Sequence, residues 1–577
     1  MTRAADRFSG GFDAGSVRDW IADDPDPDTV EELEGALAAA EAGHGAAIAD
    51  LEDRFAGPLV FGTAGLRGRI GAGPNRMNRA VVIRAAAGLS RFLLRTADPG
   101  FRVVIGCDAR HKSAEFARDT AAVVTAAGGT AIQLPERLPT PLLAFALTHL
   151  YADAGVMVTA SHNPPQDNGY KVYLGERPLL AIEPDPAAAA CGAGAQIVSP
   201  ADALIAEEIA AVESVASVPR AESGWELLDD SIVETYLRRL DDLGVRATAE
   251  LSIVVTSLHG VGADVTEAAL QRAGFASVHP VASQRRPDPD FPTVAFPNPE
   301  EAGALDEACE LAREVGAELI IANDPDADRF SAAIPDASAP AGYRQLAGDE
   351  VGLLLGEDIA NRLSASRGPD GSLVFANSIV SSRGLAAVAR SHGFAATTTL
   401  TGFKWISRVP GLVFGYEEAL GYCVDPGAVR DKDGISAAIM FAALASRLKS
   451  EGTTIDAELT RIRSRDGWFA TAPLSFRLDD VSLIAAAMTR LRDDPPTSLA
   501  GSPVVEVRDL SLGHEHLPPT DGMVLLTAED SRVIVRPSGT EPKLKCYLEV
   551  VVGADEANTA RERLSAISDE LRALFGL

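Results

Sequence analysis

The sequence is dominated by short apolar runs that alternate with longer helical patterns. The helical pattern over 79–95 is followed by the apolar run 103–106, and the pattern over 113–128 is followed by further strands, of which the run 154–158 is the clearest. Strand–helix–strand alternation predicts a sheet with parallel strands and covering helices.

The alternation restarts twice further along the chain. The runs 251–256 and 318–322 read as strands of a second unit, and the runs 373–376 and 412–415 as strands of a third. We therefore expect three related α/β units in tandem. From about Trp468 short strands cluster before a final helix, which predicts a smaller C-terminal α+β domain.

Two further local patterns lead to structural expectations. Thr29 with Glu32 forms a capping-box pattern, which predicts a helix that continues to about Arg54. The Pro- and Asp-rich stretches 183–200 and 285–300 are expected to be surface loops.

Composition and charge restrict the class of protein. The 577 residues suggest about four domains, and 46% apolar residues are ample for several cores. With 52 basic and 82 acidic residues, the net charge of −30 argues against nucleic-acid or membrane-surface partners, which are anionic. Five scattered cysteines without a CxxC pattern indicate a reducing compartment. With no apolar leader and no run near the roughly 20 residues of a membrane helix, we expect a cytoplasmic protein.

A polar loop, Thr159 to Pro165, follows the apolar run 154–158 directly. It presents Ser161 and His162 where a strand ends, which is where ligands bind in open α/β sheets. Ordinary turns use the same residue types, and adjacent Ser161 and His162 do not by themselves form a nucleophile–base pair. Two further polar clusters that also follow strands favour a functional role for this loop over an ordinary turn.

The segment Asp324 to Arg329 carries aspartates at 324, 326 and 328 directly after the run 318–322. Three carboxylates in one turn can converge on a hard cation, which would offset their mutual repulsion. An EF-hand loop is excluded, because its sixth position would be Arg329 and its twelfth Pro335. Few protein ligands with open positions favour Mg²⁺ bound together with a phosphate.

The remaining polar clusters are suited to anions and sugar hydroxyls. The segment 536–543, RPSGTEPK, combines arginine, hydroxyls and lysine between two prolines, which favours a phosphate site. The segment 61–68, FGTAGLRG, reads as a flexible glycine-rich loop around Arg67. Glu417, which follows the run 412–415, could accept hydrogen bonds from sugar hydroxyls.

Four motifs in this order resemble those of the α-D-phosphohexomutase family, which includes phosphoglucomutase and phosphomannomutase. They are TASHNPPQDNGYKVY (159–173), DPDADR (324–329), GYEEALG (415–421) and RPSGTEPK (536–543). The likeness runs from about residue 60 to 577. FGTAGLRG, TGFKW and GYEEALG are most similar to the longer phosphoglucomutases and the phosphopentomutase-like members.

The resemblance implies a four-domain α/β molecule around a central cleft, with three related α/β domains of mixed sheets and a C-terminal α+β domain. We place the domains at 1–220 (N-terminal helix and phosphoserine domain), 221–340 (metal-binding domain), 341–460 (sugar-binding domain) and 461–577 (phosphate-binding domain).

The resemblance also implies roles for single residues. Ser161 matches the phosphoserine, and His162, Lys171 and Arg67 match positions near the transferring phosphate. Lys432 matches a general base or acid, a role that a lowered pKa would favour. The Mg²⁺ ligands are then Asp324, Asp326, Asp328 and the Ser161 phosphate. The substrate-binding positions are Glu417, Lys404, Arg329, Arg536, Ser538, Gly539 and Thr540.

The expected activity is that of a phosphosugar mutase. It would interconvert hexose 1-phosphate and hexose 6-phosphate (glucose and/or mannose) through a phosphoserine enzyme, with Mg²⁺ and a hexose 1,6-bisphosphate as activator and intermediate. The protein would act as a monomer or homodimer, with sugar phosphates as its partners. Ala419 stands where many members of the family have serine, so a phosphopentomutase remains an alternative. A Mg²⁺-dependent phosphatase with an aspartate nucleophile and a non-catalytic sugar-phosphate sensor are further alternatives.

Overall fold

The structure, a computed structural model, describes residues 12–368, 370–477, 481–515, 517–538 and 543–576. The chain divides into two compact units. The first contains the residues up to Gln345 together with Asp425–Ile439, and the second contains Leu346–Val424 together with the residues from Met440 onward. A short segment from late in the sequence therefore completes the first unit. The domain bounds at 220, 340 and 460 stay a prediction.

The described chain begins with helices α1 (Ala14–Asp23), α2 (Pro27–Glu41) and α3 (Gly45–Arg54). The Asp26 carboxylate caps α2 by accepting from the Asp28 amide at 3.2 Å. The prediction that Thr29 caps one helix as far as Arg54 was therefore wrong. The helix also breaks after Glu41, because Gly43 adopts a left-handed φ of 85° that a continuing helix does not allow.

The first domain is a mixed sheet with helices packed against it. Its strands lie in the order β1-β5-β4-β2-β3-β6, with β2 parallel to β3 and β4 and with β5 antiparallel to β4 and β1. Its elements are β1 (Leu66–Arg69), α4 (Arg79–Thr96), β2 (Arg102–Cys107), α5 (Ser113–Ala126), β3 (Thr130–Gln133), α6 (Thr140–His149), β4 (Ala154–Val158), β5 (Asp167–Leu174), α7 (Glu176–Ile182), α8 (Pro186–Gly192), α9 (Ala201–Ala210) and β6 (Glu226–Leu227). The predicted strands at 103–106 and 154–158 are confirmed; both are buried along their length.

Two expectations for this domain were wrong. Arg67 lies on strand β1, opposite Gly169 of β5, and not in a flexible loop. Gly65 is required there by close approach, since a Cβ at this position would lie 1.9 Å from the Tyr170 carbonyl oxygen. The stretch 183–200 contains helix α8, whose first turn is capped by Asp185 through the Ala187 amide.

The second domain repeats the same plan within the first unit. Its strands lie in the order β11-β10-β9-β7-β8, with β9 parallel to β7 and antiparallel to β10. Its elements are α10 (Ser231–Asp241), β7 (Ser252–Thr256), α11 (Ala263–Arg272), β8 (Ser277–Pro280), α12 (Asp306–Val315), β9 (Leu319–Asn323), β10 (Phe330–Pro335) and β11 (Tyr343–Gln345).

The second unit contains a third mixed sheet and an antiparallel one. The orders are β13-β12-β14-β15 and β16-β21-β20-β19-β18-β17. The elements that follow β11 along the chain are α13 (Gly348–Ser366), β12 (Val374–Ser378), α14 (Gly384–Ser391), β13 (Ala395–Thr399), α15 (Phe403–Ile406), β14 (Leu412–Glu417), β15 (Gly421–Cys423), α16 (Gly434–Ser450), α17 (Ile455–Asp466), β16 (Trp468–Arg477), α18 (Val481–Asp493), β17 (Ser498–Leu499), β18 (Ser502–Asp509), a 3₁₀ turn (Leu510–Leu512), β19 (Met523–Thr527), β20 (Arg532–Pro537), β21 (Lys543–Val552) and α19 (Ala557–Phe575).

One feature recurs in the three mixed sheets. In each, a strand that runs parallel to a neighbour turns through a short polar loop into an antiparallel strand: β4 into β5, β9 into β10, and β14 into β15. These loops are the ones singled out from the sequence, and their equivalent positions confirm the expectation of three related α/β units. Within the part of the chain that the structure describes, every helix is too short or too polar to cross a membrane.

Candidate active site

Ser161 lies in the turn between β4 and β5 and is buried. Its φ of 51° is left-handed, a conformation that costs a non-glycine residue about 1–2 kcal/mol and that the surrounding loop must impose. The Ser161 amide donates to Thr159 Oγ1 at 2.8 Å. The Ser161 hydroxyl donates to Asp324 Oδ2 at 2.8 Å and lies 3.1 Å from His162 Nδ1. The serine and the first aspartate of the acidic loop are therefore in direct contact.

Arg110, which was not predicted from the sequence, holds this turn in place through hydrogen bonds. Its guanidinium is buried and donates to backbone carbonyls of the loop, namely those of Ser161 (2.6 Å), Asn163 (2.5 Å), Pro164 (2.7 Å) and Asp167 (3.1 Å). Asp108 lies 3.4 Å from Arg110 Nε, and the Phe291 ring covers the guanidinium at 4.9 Å. A signal was present, because Asp108 and Arg110 directly follow the buried strand β2, as Ser161 follows β4.

His162 faces the same polar cluster with a neutral imidazole. Burial, together with the nearby Arg329 and Arg67 charges, lowers the pKa of His162 well below its usual value. Arg67 Nη1 donates to Asn163 Oδ1 at 3.2 Å, and the Arg329 amide donates to Asp324 Oδ1 at 3.0 Å. Arg67, His162 and Arg329 thus lie at the serine and aspartate loops, and their roles stay a prediction.

The aspartates at 324, 326 and 328 are buried in the turn between β9 and β10. One carboxylate oxygen of each lies within 4.8 Å of the others, a spacing that a cation with ligand distances of about 2.0–2.6 Å can bridge with small side-chain movements. Asp326 Oδ1 and Asp328 Oδ1 are buried without a hydrogen-bond partner among the described residues. Buried oxygens of this kind are costly unless something binds them, so these residues fit a divalent metal ion.

Two lysines contact the Oδ2 atoms of Asp326 and Asp328. Lys171 Nζ lies 2.7 Å from Asp326 Oδ2 and 2.8 Å from Asp328 Oδ2, and Lys432 Nζ lies 3.0 Å from Asp328 Oδ2. Burial alone would lower the pKa of Lys171, but the Asp326 and Asp328 charges hold it above its usual value.

The same contacts give the three aspartates different pKa values. Burial alone would raise the pKa of Asp326 and of Asp328, but the Lys171 charge keeps both below the usual range. Asp324 lacks a lysine contact of this kind among the described residues, and burial with the neighbouring carboxylates raises its pKa well above the usual value. Asp324 is also the acceptor of the Ser161 hydroxyl, so the serine faces the most basic carboxylate of the three.

Thr140 is a further residue that the sequence did not indicate. Its hydroxyl donates to Asp326 Oδ2 at 2.6 Å and its amide to the Asp326 carbonyl at 2.9 Å. Thr140 begins α6 in the first domain, whereas Asp326 lies in the second. This contact spans 186 residues of sequence, and no local pattern could have revealed it.

The second unit carries the candidate sugar-binding residues. Glu417 ends β14 opposite Gly421, and Lys404 lies in the short helix α15. The neighbouring Glu418 is held by hydroxyls, since its Oε2 accepts from Ser378 Oγ at 3.0 Å and from Ser381 Oγ at 2.7 Å. Ala419 contributes no hydroxyl to this turn.

The candidate phosphate loop follows β20 in the second unit. Arg536 lies on β20 opposite Lys545, and the Ser538 amide donates to the Lys543 carbonyl at 2.8 Å. Gly539 and Thr540 lie outside the described residues. The loop thus begins and ends on adjacent antiparallel strands.

The chain matches the family models for all four domains described as phosphoglucomutase/phosphomannomutase. The matches cover residues 58–181 (alpha/beta/alpha domain I), 234–337 (domain II), 347–462 (domain III) and 496–567 (C-terminal domain).

Individual relatives and a solved structure agree with this assignment. A Haemophilus influenzae protein named "Probable phosphomannomutase" is 44% identical over 82% of this chain and 93% of its own length. The phosphopentomutase of Mus musculus is 34% identical over 96% of this chain and 92% of its own length. The crystal structure of a phosphoglucomutase/phosphomannomutase family protein from Burkholderia thailandensis has the same fold, with a TM-score of 0.65 at 19% identity over 89% of this chain and 97% of its own.

The four domain models match in order along the chain, and the chain covers nearly the whole length of these relatives. The chain belongs to the phosphoglucomutase/phosphomannomutase family, whose members are intramolecular phosphotransferases.

Proposed function

We propose that this protein is a phosphosugar mutase that interconverts hexose 1-phosphate and hexose 6-phosphate through a phosphoserine at Ser161. The observation that carries the proposal is the contact of 2.8 Å between Ser161 Oγ and Asp324 Oδ2, beside buried aspartate oxygens that fit a divalent cation. A phosphoryl group on this hydroxyl would lie among carboxylates, a metal ion and the Lys171 ammonium. Such a site stabilises charge that moves between phosphoryl donor and acceptor.

The proposed reaction consists of two transfers at the same serine. In the first, the bond between Ser161 Oγ and phosphorus breaks, and a free sugar hydroxyl forms the new oxygen–phosphorus bond to give a bisphosphate. In the second, the other phosphoryl group of that bisphosphate returns to Ser161 Oγ. Mg²⁺, when held by the three aspartates and the serine phosphate, would offset charge and polarise the phosphorus.

The sugar hydroxyl must lose a proton in the first transfer and regain one in the second. Lys432 is the candidate for this role. Its neutral amine would accept the hydroxyl proton in the first transfer, and the ammonium so formed, 3.0 Å from Asp328 Oδ2, would return a proton in the second. His162, with its neutral imidazole, also lies near Ser161, with its Nδ1 3.1 Å from Ser161 Oγ.

We assign the remaining predicted site residues to different parts of the substrate. Arg67, Lys171 and Arg329 supply positive charge beside Ser161. Glu417 and Lys404 are proposed to bind the sugar, and Arg536 and Ser538, with Gly539 and Thr540, its distal phosphate. Arginine can grip a phosphate through two parallel hydrogen bonds.

A phosphopentomutase is the second candidate, favoured by one residue. Ala419 lacks the hydroxyl that serine would offer in the sugar-binding turn, which weakens the case for a hexose with its full set of hydroxyls. The 34% identity to a phosphopentomutase over almost the whole chain supports the same candidate.

The test is turnover of glucose 1-phosphate, mannose 1-phosphate and ribose 1-phosphate in parallel, with Mg²⁺ and a trace of hexose bisphosphate. Ser161→Ala is expected to lower kcat by at least about 10⁴-fold, because the phosphoryl carrier is lost. Removal of Mg²⁺ with a chelator should have a comparable effect. Ser90→Ala is the matched control, since Ser90 is also buried but donates to the Ala86 carbonyl within α4.

The outcomes separate the alternatives. Turnover that survives Ser161→Ala would place the chemistry on another residue. A phosphoryl group trapped on an aspartate, which hydroxylamine releases, would indicate the phosphatase. Tight sugar-phosphate binding without turnover of any of the three substrates would favour the sensor. The ranking of the three substrates decides between hexose and pentose.

A further inference from the structure

Lys432 belongs to a segment that packs within the first unit, away from its neighbours in sequence. The segment, Asp425–Ile439, is anchored at its start by Arg239, whose Nε and Nη2 contact Asp425 at 2.7 and 2.8 Å. Arg430 Nη1 donates to the Cys191 carbonyl at 2.8 Å. These contacts hold the first part of the segment but do not orient the Lys432 side chain.

Asp431, which precedes Lys432, is bound by the first domain. Its Oδ2 accepts from the Tyr173 hydroxyl and from Gln196 Nε2, both at 2.7 Å. Its Oδ1 accepts from the Lys432 amide at 2.8 Å and lies 3.6 Å from Lys432 Nζ. One carboxylate thus connects Tyr173 to both the backbone and the ammonium of Lys432.

Asp433, which follows Lys432, is bound by the second domain. The Tyr236 hydroxyl lies 2.9 Å from both of its carboxylate oxygens. Asp433 Oδ1 also accepts from the Ile435 and Ser436 amides, which open α16. The Phe145 ring contacts the Tyr236 ring edge-on at 5.5 Å and fixes its position.

The segment lies directly on the aspartate loop. The Gly434 amide faces the Ala327 carbonyl at 3.2 Å, and a Cβ on Gly434 would lie 2.2 Å from the Arg329 carbonyl oxygen. A small shift of this backbone would therefore displace Lys432 Nζ from Asp328. A change of 1 Å in such a contact can cost about 10²-fold in rate.

Both tyrosines are suited to a fixed, neutral donor role. They are at most 1% exposed, and burial together with the adjacent carboxylate raises the pKa of each well above its usual value. Tyr173 lies two residues after Lys171 on β5, so both side chains leave the same face of the strand. Strand β5 therefore carries both Lys171, which contacts the aspartates, and Tyr173, which binds Asp431 next to Lys432.

We propose that Tyr173 and Tyr236 are positioning residues for Lys432, which they fix against Asp328 by binding Asp431 and Asp433. The role in turnover rests on the proposed mutase function, whereas the positioning itself does not.

Tyr173→Phe and Tyr236→Phe remove single hydroxyls and keep the ring packing. Tyr173→Phe is expected to lower kcat about 10- to 100-fold with KM changed less than about 2-fold, as when a partner of a functional group is lost. Tyr170→Phe is the matched control. Tyr170 is equally buried on β5, but its hydroxyl contacts Thr120 in the domain core. The same loss of kcat in the control would show a general packing effect and overturn the proposal.

A double variant tests the route through Asp431. If Tyr173 acts through this carboxylate, Tyr173→Phe added to Asp431→Asn should change kcat by less than about 2-fold. Multiplication of the two single effects would mean that Tyr173 acts by another path, and would overturn the assignment.

Amide hydrogen exchange gives a readout that does not depend on turnover. Peptides that cover Asp425–Ile439 should exchange at least about 10-fold faster in Tyr173→Phe and Tyr236→Phe than in the wild type, with Tyr170→Phe unchanged. If the wild type shows no mutase activity but exchange rises as expected, the proposed function fails and the positioning stands. Unchanged exchange in both variants would overturn the positioning.

Discussion

A pair of aspartates in the first unit and one aspartate in the second are held in different ways. In the first unit, Asp326 and Asp328 are contacted by the Lys171 ammonium at 2.7 and 2.8 Å. In the second, Asp349 accepts from the Ser382 amide at 2.8 Å and from the Tyr416 hydroxyl at 2.9 Å, so its partners are neutral.

The partners decide the charge state of each carboxyl group. Asp326 and Asp328 stay ionised because a cation outweighs the effect of burial. Burial, with the nearby Glu418 charge, instead raises the pKa of Asp349 to about 6 despite its hydrogen bonds. The ionised pair Asp326 and Asp328 thus lies in the loop that contacts Ser161, where a phosphoryl group is proposed to move, whereas Asp349 with its neutral donors lies beside the candidate sugar-binding turn.

The largest expected effect comes from removing the Lys171 ammonium group. Lys171→Met leaves Asp326 with the Thr140 hydroxyl and should lower the free energy of unfolding by about 3–5 kcal/mol without metal, since a buried charge loses its partner. Mg²⁺ should then raise the melting temperature of the variant more than that of the wild type, because it replaces the missing positive charge. Thermal melts with and without Mg²⁺ measure both effects.

Lys112→Met is the control for this comparison. Lys112 also contacts two carboxylates, Asp28 at 3.3 Å and Glu115 at 3.0 Å, but at the surface. Its loss should cost at most about 1 kcal/mol and leave the Mg²⁺ response unchanged. Equal losses in the two variants would remove the distinction between buried and exposed pairs.

A smaller effect is expected from Asp349 and depends on pH. An unfolded aspartate has a pKa of about 3.9, so between about pH 4 and 6 the folded protein binds more protons at Asp349. The contribution of Asp349 to the free energy of unfolding should therefore fall as pH rises through this window. Asp349→Asn does not titrate, so its stability relative to the wild type should rise by about 1–3 kcal/mol over the same window. Denaturant melts at several pH values measure this difference.

Asp370 provides a control of opposite sign. It is exposed, and its hydrogen bonds to Ser372 lower its pKa. Asp370→Asn should lose stability relative to the wild type as pH rises. The same sign for both variants would contradict the assignment of the effect to burial.

The smallest effect is expected at the serines that bind Glu418. Ser381 Oγ donates to Glu418 Oε2 and accepts from the Glu418 amide at 3.0 Å. Ser378 Oγ lies 3.0 Å from Glu418 Oε2, accepts from the Ser381 amide at 3.2 Å and lies 2.8 Å from Ser381 Oγ. Because each hydroxyl makes three polar contacts, Ser381→Ala and Ser378→Ala should each cost about 1–2 kcal/mol of unfolding free energy. Denaturant melts measure both, and a cost below about 0.5 kcal/mol in either variant would contradict this expectation.

Much of the site could be predicted because its residues follow buried strands. Ser161 and Asp324 each come within three residues of a run of buried apolar residues, so their position at a sheet edge follows from local pattern. The contact between them spans 163 residues and was expected only from the family resemblance.

The missed residues act through side-chain directions that no local pattern encodes. Arg110 follows a strand in the same way as Ser161, but nothing in the sequence indicates that its guanidinium turns under the serine loop. Tyr173 reaches Asp431 across 258 residues. The break between α2 and α3 was missed because helix-forming residues flank Gly43 on both sides, and a single glycine is a weak helix stop.

The placement of Asp425–Ile439 has a consequence for how the protein is made. Synthesis runs from the N-terminus, so all of Leu346–Val424 must leave the ribosome before the first unit can receive its last segment. Until then the Tyr173 and Tyr236 hydroxyls lack Asp431 and Asp433, and Asp328 lacks Lys432. A nascent chain that ends at Gln345 is therefore an incomplete folding unit, and the first unit becomes complete only late in translation.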